Sequence, residues 1–288
     1  MQFPELQYAF PYRTVSLSGS QSIAYSDEGS GKDILLFIHG LASYIPAWRK
    51  NVAVLNKTFR CICIDLPGYG KSTAGEHSGN ISFYAEVLAE FILTMKLHNV
   101  TLVGHSMGGH LAIGLTLIHP ELVNNLILLA PAGFEDFTGD ESLLLKRAFT
   151  ADTFITADEI QIRNSFAGNF FRMPLDTEPM IQDRLAMRNW KNFHAHANVV
   201  ANSLYGMLDD PVLNRLSLID QKTLVIYGEN DTLIPHPVLH NKMTTAAIAY
   251  SGVAQFQKAT LIFIKKCGHF LQFEKPDEIN LLIRDFMI

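Results

Sequence analysis

Ser106 lies in the glycine-rich motif GHSMGG, which spans residues 104–109. The motif follows the short apolar run 100–103 and opens an apolar stretch with helical spacing. A serine on such a sharp strand-to-helix turn needs glycines two residues before and two residues after it, because Cβ atoms there would collide. The turn presents the hydroxyl at the end of the strand, where it can attack a carbonyl carbon. The motif therefore predicts that Ser106 is a nucleophile.

A serine hydroxyl is a weak nucleophile and needs a base. Among the eleven histidines, only His269 lies in a loop between the last apolar run and a final helical segment. His105 is adjacent to Ser106 in the chain, so its ring cannot easily turn back to the hydroxyl. His39 follows the first apolar run of the core, and we expect it to brace a loop through backbone hydrogen bonds. We therefore predict that His269 is the base.

The base in turn needs a buried carboxylate that fixes its tautomer and stabilises the imidazolium. Asp231 is the predicted partner, because it follows the apolar run 223–227 and so lies in a loop at the end of a strand. Three alternatives stay open. Glu229 belongs to the same loop, and Glu135 and Asp136 follow the preceding run.

The tetrahedral intermediate of such a reaction needs N–H donors for its oxyanion. The amide of Met107 lies at a helix N-terminus directly after the nucleophile, and a second amide is expected from Leu41 in the loop 39–42. Acyl transfer by these groups requires neither a metal nor an organic cofactor. We predict a small-molecule ester or related carbonyl compound as substrate, and no cofactor.

Six short apolar runs are bounded by turn residues, as is typical of parallel strands buried under helices. The runs are 34–38, 61–64, 100–103, 126–130, 223–227 and 260–264. Helical patterns lie between or after them, at 47–55, 82–96, 107–118, 237–249 and 276–286. This alternation predicts an α/β fold with a mostly parallel sheet. The stretch 14–26 alternates polar and apolar residues, which indicates an antiparallel hairpin at the edge.

The alternation stops between residues 134 and 218, where only helical patterns occur. We predict that 134–218 is a helical cap inserted into a core formed by 1–133 and 219–288. Residues 134–216 contain 8 of the 19 phenylalanines and four methionines, which favours an apolar acyl or aryl pocket between cap and core. Arg188 and Trp190 are candidates for binding a carboxylate and stacking on a ring there, although a solvated helical arginine is the favoured interpretation of Arg188.

Composition narrows the remaining function classes. Charged residues make up 18% of the chain and the formal charge is −5, without the basic face that nucleic-acid binding needs. No stretch reaches the about 18 uninterrupted apolar residues of a membrane helix. Residues 1–6 lack the basic start and apolar core of a signal peptide. The three cysteines form no disulfide framework, so we expect reduced thiols and a cytoplasmic location.

These motifs together resemble the α/β-hydrolase superfamily. The matching segments are 39–40, 65–72, 104–109, 228–231 and 268–269, and the chain order Ser, Asp, His is the order that this superfamily uses. The resemblance implies an eight-stranded sheet whose helical cap covers the active site. It also implies that Asp65 and Ser72 belong to a structural turn rather than to the catalytic machinery.

The resemblance divides the possible activities into branches. Members with an aspartate nucleophile are excluded by Ser106. Hydrolases that cleave carbon–carbon bonds in ring-cleavage products share Ser-Met-Gly-Gly, but they usually carry asparagine where this chain has His105. The leading prediction is therefore hydrolysis of a small to medium apolar acyl or aryl ester. Carbon–carbon hydrolysis of meta-cleavage-type diketones is the alternative, and a ligand-binding receptor that retains the triad is a third.

Overall fold

The computed structural model of the chain describes residues 3, 5–73 and 77–288. The strands of this part are β1 (Arg13–Leu17), β2 (Gln21–Glu28), β3 (Ile34–Ile38), β4 (Arg60–Ile64), β5 (Val100–His105), β6 (Asn125–Leu129), β7 (Lys222–Gly228) and β8 (Ala259–Ile264). They form one sheet in the order β1-β2-β4-β3-β5-β6-β7-β8. Strand β2 is antiparallel to both of its neighbours, and all other neighbouring strands are parallel. The predicted mostly parallel eight-stranded sheet and its edge hairpin are confirmed.

Eleven α-helices accompany the sheet in the described residues. They are α1 (Arg49–Leu55), α2 (Ile81–Thr94), α3 (Met107–Ile118), α4 (Gly139–Ala148), α5 (Ala151–Thr156), α6 (Glu159–Ala167), α7 (Glu178–Met187), α8 (Phe193–Asp209), α9 (Thr245–Val253), α10 (Leu271–Glu274) and α11 (Pro276–Met287). Helix α2 packs against α3, and α1 packs against α11. The fold is that of an α/β protein, as the alternation of apolar runs predicts.

The helix predicted at 237–249 is wrong in its first half. Residues before Thr244 form turns, because the N–H of Leu239 is bound by the ring of His236 at 3.2 Å and the N–H of Met243 by the carbonyl of His240 at 2.9 Å. The helix begins only at Thr245, where the Thr244 side chain accepts the N–H of Ala247 at 3.1 Å. The side-chain cap at Thr244 therefore makes the helix begin later in the chain than the sequence predicts.

The central strands are buried over almost their whole length. All five residues of β3 and all six of β5 are buried, which explains why their sequences are apolar on both faces. Because β3, β5, β7 and β8 are parallel, the loops that follow them emerge at the same edge of the sheet. We refer to it as the carboxyl edge. The predicted site residues all lie in the segments that follow these four strands.

A helical segment separates β6 from β7, and we refer to residues 130–221 as the helical insertion. It contains α4 to α8 and no strand. Ser203 of α8 ties the insertion to the rest of the chain, because its hydroxyl binds the hydroxyls of Tyr69 at 3.0 Å and Tyr84 at 2.8 Å. The boundaries 134 and 218 of a separate cap unit stay a prediction.

No helix among the described residues is long and apolar enough to cross a membrane. Cys61, Cys63 and Cys267 are all buried and unpaired, as expected for reduced thiols. The cytoplasmic location stays a prediction.

Candidate active site

Ser106 occupies the strained turn that its motif predicts. Its backbone has φ 53° and ψ −117°, a conformation that side-chain-bearing residues rarely adopt, and it caps the N-terminus of α3. A Cβ atom at Gly104 would lie 2.4 Å from the carbonyl oxygen of Gly108, and one at Gly108 would lie 2.1 Å from that of Ile38. Both glycines are therefore required by close backbone contact, as the sequence indicates.

The structure brings Asp231 and His269 together. Their side chains are almost completely buried, and Nδ1 of His269 lies 2.7 Å from Oδ2 of Asp231. The other carboxylate oxygen accepts the backbone N–H groups of Leu233 at 2.8 Å and Ile234 at 3.1 Å. Because a carboxylate only accepts hydrogen bonds, Nδ1 carries a proton, and in the neutral ring Nε2 then has the lone pair. This is the tautomer that a general base needs.

Ser106 and His269 line the same cavity, of about 420 Å³, together with Leu41. Met107 is fully buried as the first residue of α3, where its N–H has no acceptor within the helix. Neither this N–H nor that of Leu41 is bound by any other group in the described part of the chain. Two free amides therefore lie in the segments next to Ser106, as an oxyanion site requires. The catalytic roles of these five residues stay a prediction.

His39 has the bracing role expected of it. Its Nδ1 donates to the carbonyl of Gly40 at 2.8 Å, and its Nε2 accepts the N–H of Leu66 at 3.1 Å. Burial lowers the pKa of His39 to about 4, so the ring is neutral at physiological pH. Both nitrogens are occupied by backbone groups, and no proton transfer is left for them.

The three alternative carboxylates lie elsewhere. Glu135 accepts the backbone N–H of His236 and binds Nδ1 of His240, each at 2.6 Å. Asp136 and Glu229 are exposed. Of the four candidates, only Asp231 binds His269.

Neither Arg188 nor Trp190 lines the cavity, so the less favoured interpretation of them, as carboxylate-binding and ring-stacking residues, is wrong. Trp190 stacks instead on Phe3, with ring centroids 5.1 Å apart. The arginine in the cavity wall is Arg184, on α7 and one helical turn before Arg188. Residues four apart share a helix face, so spacing in the sequence does not distinguish the two arginines.

Arg184 is held against the loop that carries Leu41. Its guanidinium donates to the carbonyl of Ala42, and its Cζ lies 4.6 Å from the centre of the Phe154 ring. Desolvation lowers the pKa of Arg184 to about 10, so the group is still cationic at neutral pH. Within the described residues no carboxylate lies within ion-pair distance of it. The neighbouring Asp183 is bound by the hydroxyl of Tyr44, and burial raises its pKa.

The remaining wall of the cavity is largely apolar. The helical insertion contributes aromatic and thioether side chains, namely Phe149, Phe154, Phe166, Met180, Met187 and Met207. The volume is within the range of about 300–1,000 Å³ that is typical of small-molecule sites. No group of three or more His, Cys, Asp or Glu side chains in the described chain could hold a metal ion. The cavity thus combines a largely apolar wall, the neighbouring side chains of Asp183 and Arg184, and the side chains of Ser106 and His269.

Comparisons with known proteins agree with this fold. The α/β hydrolase fold family matches residues 33–276. A 2-hydroxy-6-oxononadienedioate/2-hydroxy-6-oxononatrienedioate hydrolase of Pseudomonas putida is 29% identical over 278 residues, which is 92% of each chain.

Two solved structures share the fold at lower identity. An esterase of Exiguobacterium antarcticum is 21% identical with a TM-score of 0.78, and the match covers 96% of this chain and 99% of the esterase. A mutant of a meta-cleavage product hydrolase is 22% identical with a TM-score of 0.77, covering 96% and 97% of the two chains. With its sheet, its serine turn and a family match over most of its length, the chain belongs to the α/β-hydrolase family.

Proposed function

We propose that this protein hydrolyses a carbon–carbon bond next to a ketone in a small conjugated substrate that carries a carboxylate. The observation that carries this proposal is the cationic Arg184 in the wall of the cavity that holds Ser106 and His269. Arg184 is partly buried and has no ion-pair partner among the described residues, which is unfavourable in the free protein, and an anionic group of a ligand would offset that cost. A neutral apolar ester does not use this cation.

In the proposed reaction, the Ser106 hydroxyl attacks the ketone carbon while Nε2 of His269 accepts its proton. The N–H groups of Leu41 and Met107 stabilise the resulting oxyanion. When the tetrahedral intermediate collapses, the carbon–carbon bond breaks and its electron pair stays with the leaving carbon, which takes the proton from His269. Water, deprotonated by His269, then releases the acyl group from Ser106. Conjugation to a second carbonyl must stabilise the leaving carbon, which is why a simple ketone is not expected to react.

The curated relatives support this choice over ester cleavage. The Pseudomonas putida protein is named as a hydrolase of a 2-hydroxy-6-oxo dicarboxylate, a substrate that has both the conjugated ketone and carboxylates. A relative of Burkholderia vietnamiensis with the same substrate name is 28% identical over 280 residues. A cation in the cavity is complementary to such a substrate.

Ester hydrolysis, the leading prediction from the sequence, is the second candidate. It is favoured by His105, which stands where carbon–carbon hydrolases usually carry asparagine, and by the largely apolar wall. The same attack by Ser106 cleaves an ester more readily, because an alkoxide is a better leaving group than a carbanion. The two functions therefore differ in the substrate that the cavity selects.

A direct comparison of two chromogenic substrates tests the choice. We expect kcat/KM for a 2-hydroxy-6-oxo-dienoate, followed by the loss of its absorbance, to exceed that for a p-nitrophenyl ester of similar acyl size. The opposite order, or no turnover of the dienoate under conditions where the ester is cleaved, would assign the protein as an esterase.

Arg184→Gln provides a second test of the substrate class. We expect kcat/KM for the dienoate carboxylate to fall about 10- to 100-fold, the usual value of a hydrogen bond to a charged group. Turnover of a neutral ester is expected to fall less, because the ester makes no use of the charge and is affected only through the lost contact of Arg184 with the carbonyl of Ala42. Arg188→Gln is the matched control, since it removes an arginine of the same helix region outside the cavity. Equal losses on both substrates in Arg184→Gln would contradict an anion-binding role.

A further inference from the structure

His105, the residue before the nucleophile, makes two contacts with the loop of the base. Its Nε2 lies 2.9 Å from the backbone carbonyl oxygen of His269, which is 164 residues away in the chain. Its ring stacks on Phe270 with centroids 5.2 Å apart and an angle of 21° between the planes. The rings of His105 and His269 are themselves 5.0 Å apart. One side chain thus joins the turn of Ser106 to the loop that carries the base.

The hydrogen bond defines the protonation of His105. A carbonyl oxygen only accepts, so Nε2 must be the donor. Burial lowers the pKa of His105 well below its usual range, so the ring is neutral and carries a single proton. Nδ1 is therefore a bare acceptor, and it is buried without a partner in the described chain. An unpaired buried nitrogen is unfavourable by itself. The hydrogen bond from Nε2 is therefore the favourable contact that histidine makes at this position and that an apolar ring would not make.

We propose that His105 is a positioning residue, whose Nε2–H holds the backbone of His269 and so places the base relative to Ser106. This proposal rests on the proposed role of His269 as the base. Because His105 directly precedes Ser106, any shift of the end of β5 moves Ser106 and the side chain that binds the backbone of His269 together. The peptide group between His269 and Phe270 makes a second hydrogen bond, since the N–H of Phe270 donates to the carbonyl of Asn169 at 2.9 Å.

The reach of the side chain explains why histidine serves here. An asparagine amide extends about 1 Å less from Cβ than Nε2 of histidine does and would not reach the carbonyl of His269. Glutamine has a similar reach and carries an N–H donor, but it has no ring to stack on Phe270. Phenylalanine keeps a ring and loses the donor. These two substitutions separate the hydrogen bond from the stacking contact.

The test compares His105→Phe with His105→Gln. A misplaced catalytic group can reduce the rate about 10²-fold, so we expect kcat of His105→Phe to fall about 10- to 100-fold with KM nearly unchanged. His105→Gln is expected to retain most of the wild-type kcat. Equal activity of both variants and the wild type would overturn the proposal. An equal loss in both would also overturn it, because the ring rather than the N–H would then be responsible.

A second measurement needs no substrate, so it is independent of the proposed function. In proton NMR, the Nδ1 proton of His269 that is bound by Asp231 is expected as a downfield resonance. We expect it to persist in His105→Gln and to shift or broaden in His105→Phe. An unchanged resonance in a folded His105→Phe would overturn the proposal, whichever substrate the enzyme uses. If circular dichroism shows that His105→Phe is unfolded, His105→Leu replaces it as the variant without a donor.

Discussion

Replacing Ser106 with alanine is expected to lower kcat by at least about 10⁴-fold on any substrate that the enzyme turns over. The substitution removes the hydroxyl that we propose forms the covalent bond to the acyl group, while the amides of Leu41 and Met107 and the cavity wall remain. Those groups can still bind substrate. We therefore expect a dienoate to bind Ser106→Ala with a change in its absorption spectrum, but without cleavage.

The control for this substitution is Ser82→Ala. Ser82 is exposed in the first turn of α2, and within the described residues its hydroxyl binds only Asn80, so its loss is expected to leave turnover unchanged. Thermal unfolding of both variants checks that the strained turn at residue 106 still forms. If Ser106→Ala retained wild-type turnover while folded, the assignment of the nucleophile would be wrong.

Asp231→Asn is expected to lower kcat about 10⁴-fold without unfolding the protein. The two backbone N–H groups of Leu233 and Ile234 already bind one oxygen of Asp231, and in the variant the amide oxygen must stay with them. The amide NH₂ then faces Nδ1 of His269, which has to become an acceptor. The imidazole proton moves to Nε2, and His269 loses the lone pair that we propose accepts the proton of Ser106.

Glu229→Gln is the matched control, because Glu229 belongs to the same loop but is exposed. We expect it to leave kcat unchanged. The measurement is kcat on the ester and on the dienoate, together with the pH dependence of kcat/KM. A loss of less than about tenfold in Asp231→Asn would show that another group orients His269.

Part of the site follows from local sequence. The glycines at 104 and 108 are required by clashes of 2.4 Å and 2.1 Å that any Cβ would make. The clash at Gly104 arises within the turn itself, so the motif predicts the strained conformation, whereas the clash at Gly108 is with strand β3 and depends on the sheet. The strands are predictable for a similar reason, since burial on both faces demands continuous apolar runs.

The partners of Ser106 are predictable only as sets of candidates. The loops that follow parallel strands emerge at one edge of the sheet. This limits the candidates for the base and the acid to residues that follow the ends of strands. Within that limit, Asp231 and Glu135 are equivalent in sequence. The structure separates them, because Glu135 binds the segment 236–240 and Asp231 binds His269.

The sequence by itself determined the fold class, the strained serine turn and the edge of the sheet where the site lies, because each depends on local sterics or on the period of buried residues. Only the tertiary structure decided which arginine of the helical insertion lines the cavity, and that Nε2 of His105 binds the backbone carbonyl of His269. Arg184 and Arg188 are one turn apart on the same face of a helix, so the packing of α7 on the carboxyl edge makes the distinction. The hydrogen bond of His105 joins it to the carbonyl of His269, which is 164 residues away, and no spacing in the sequence identifies that carbonyl.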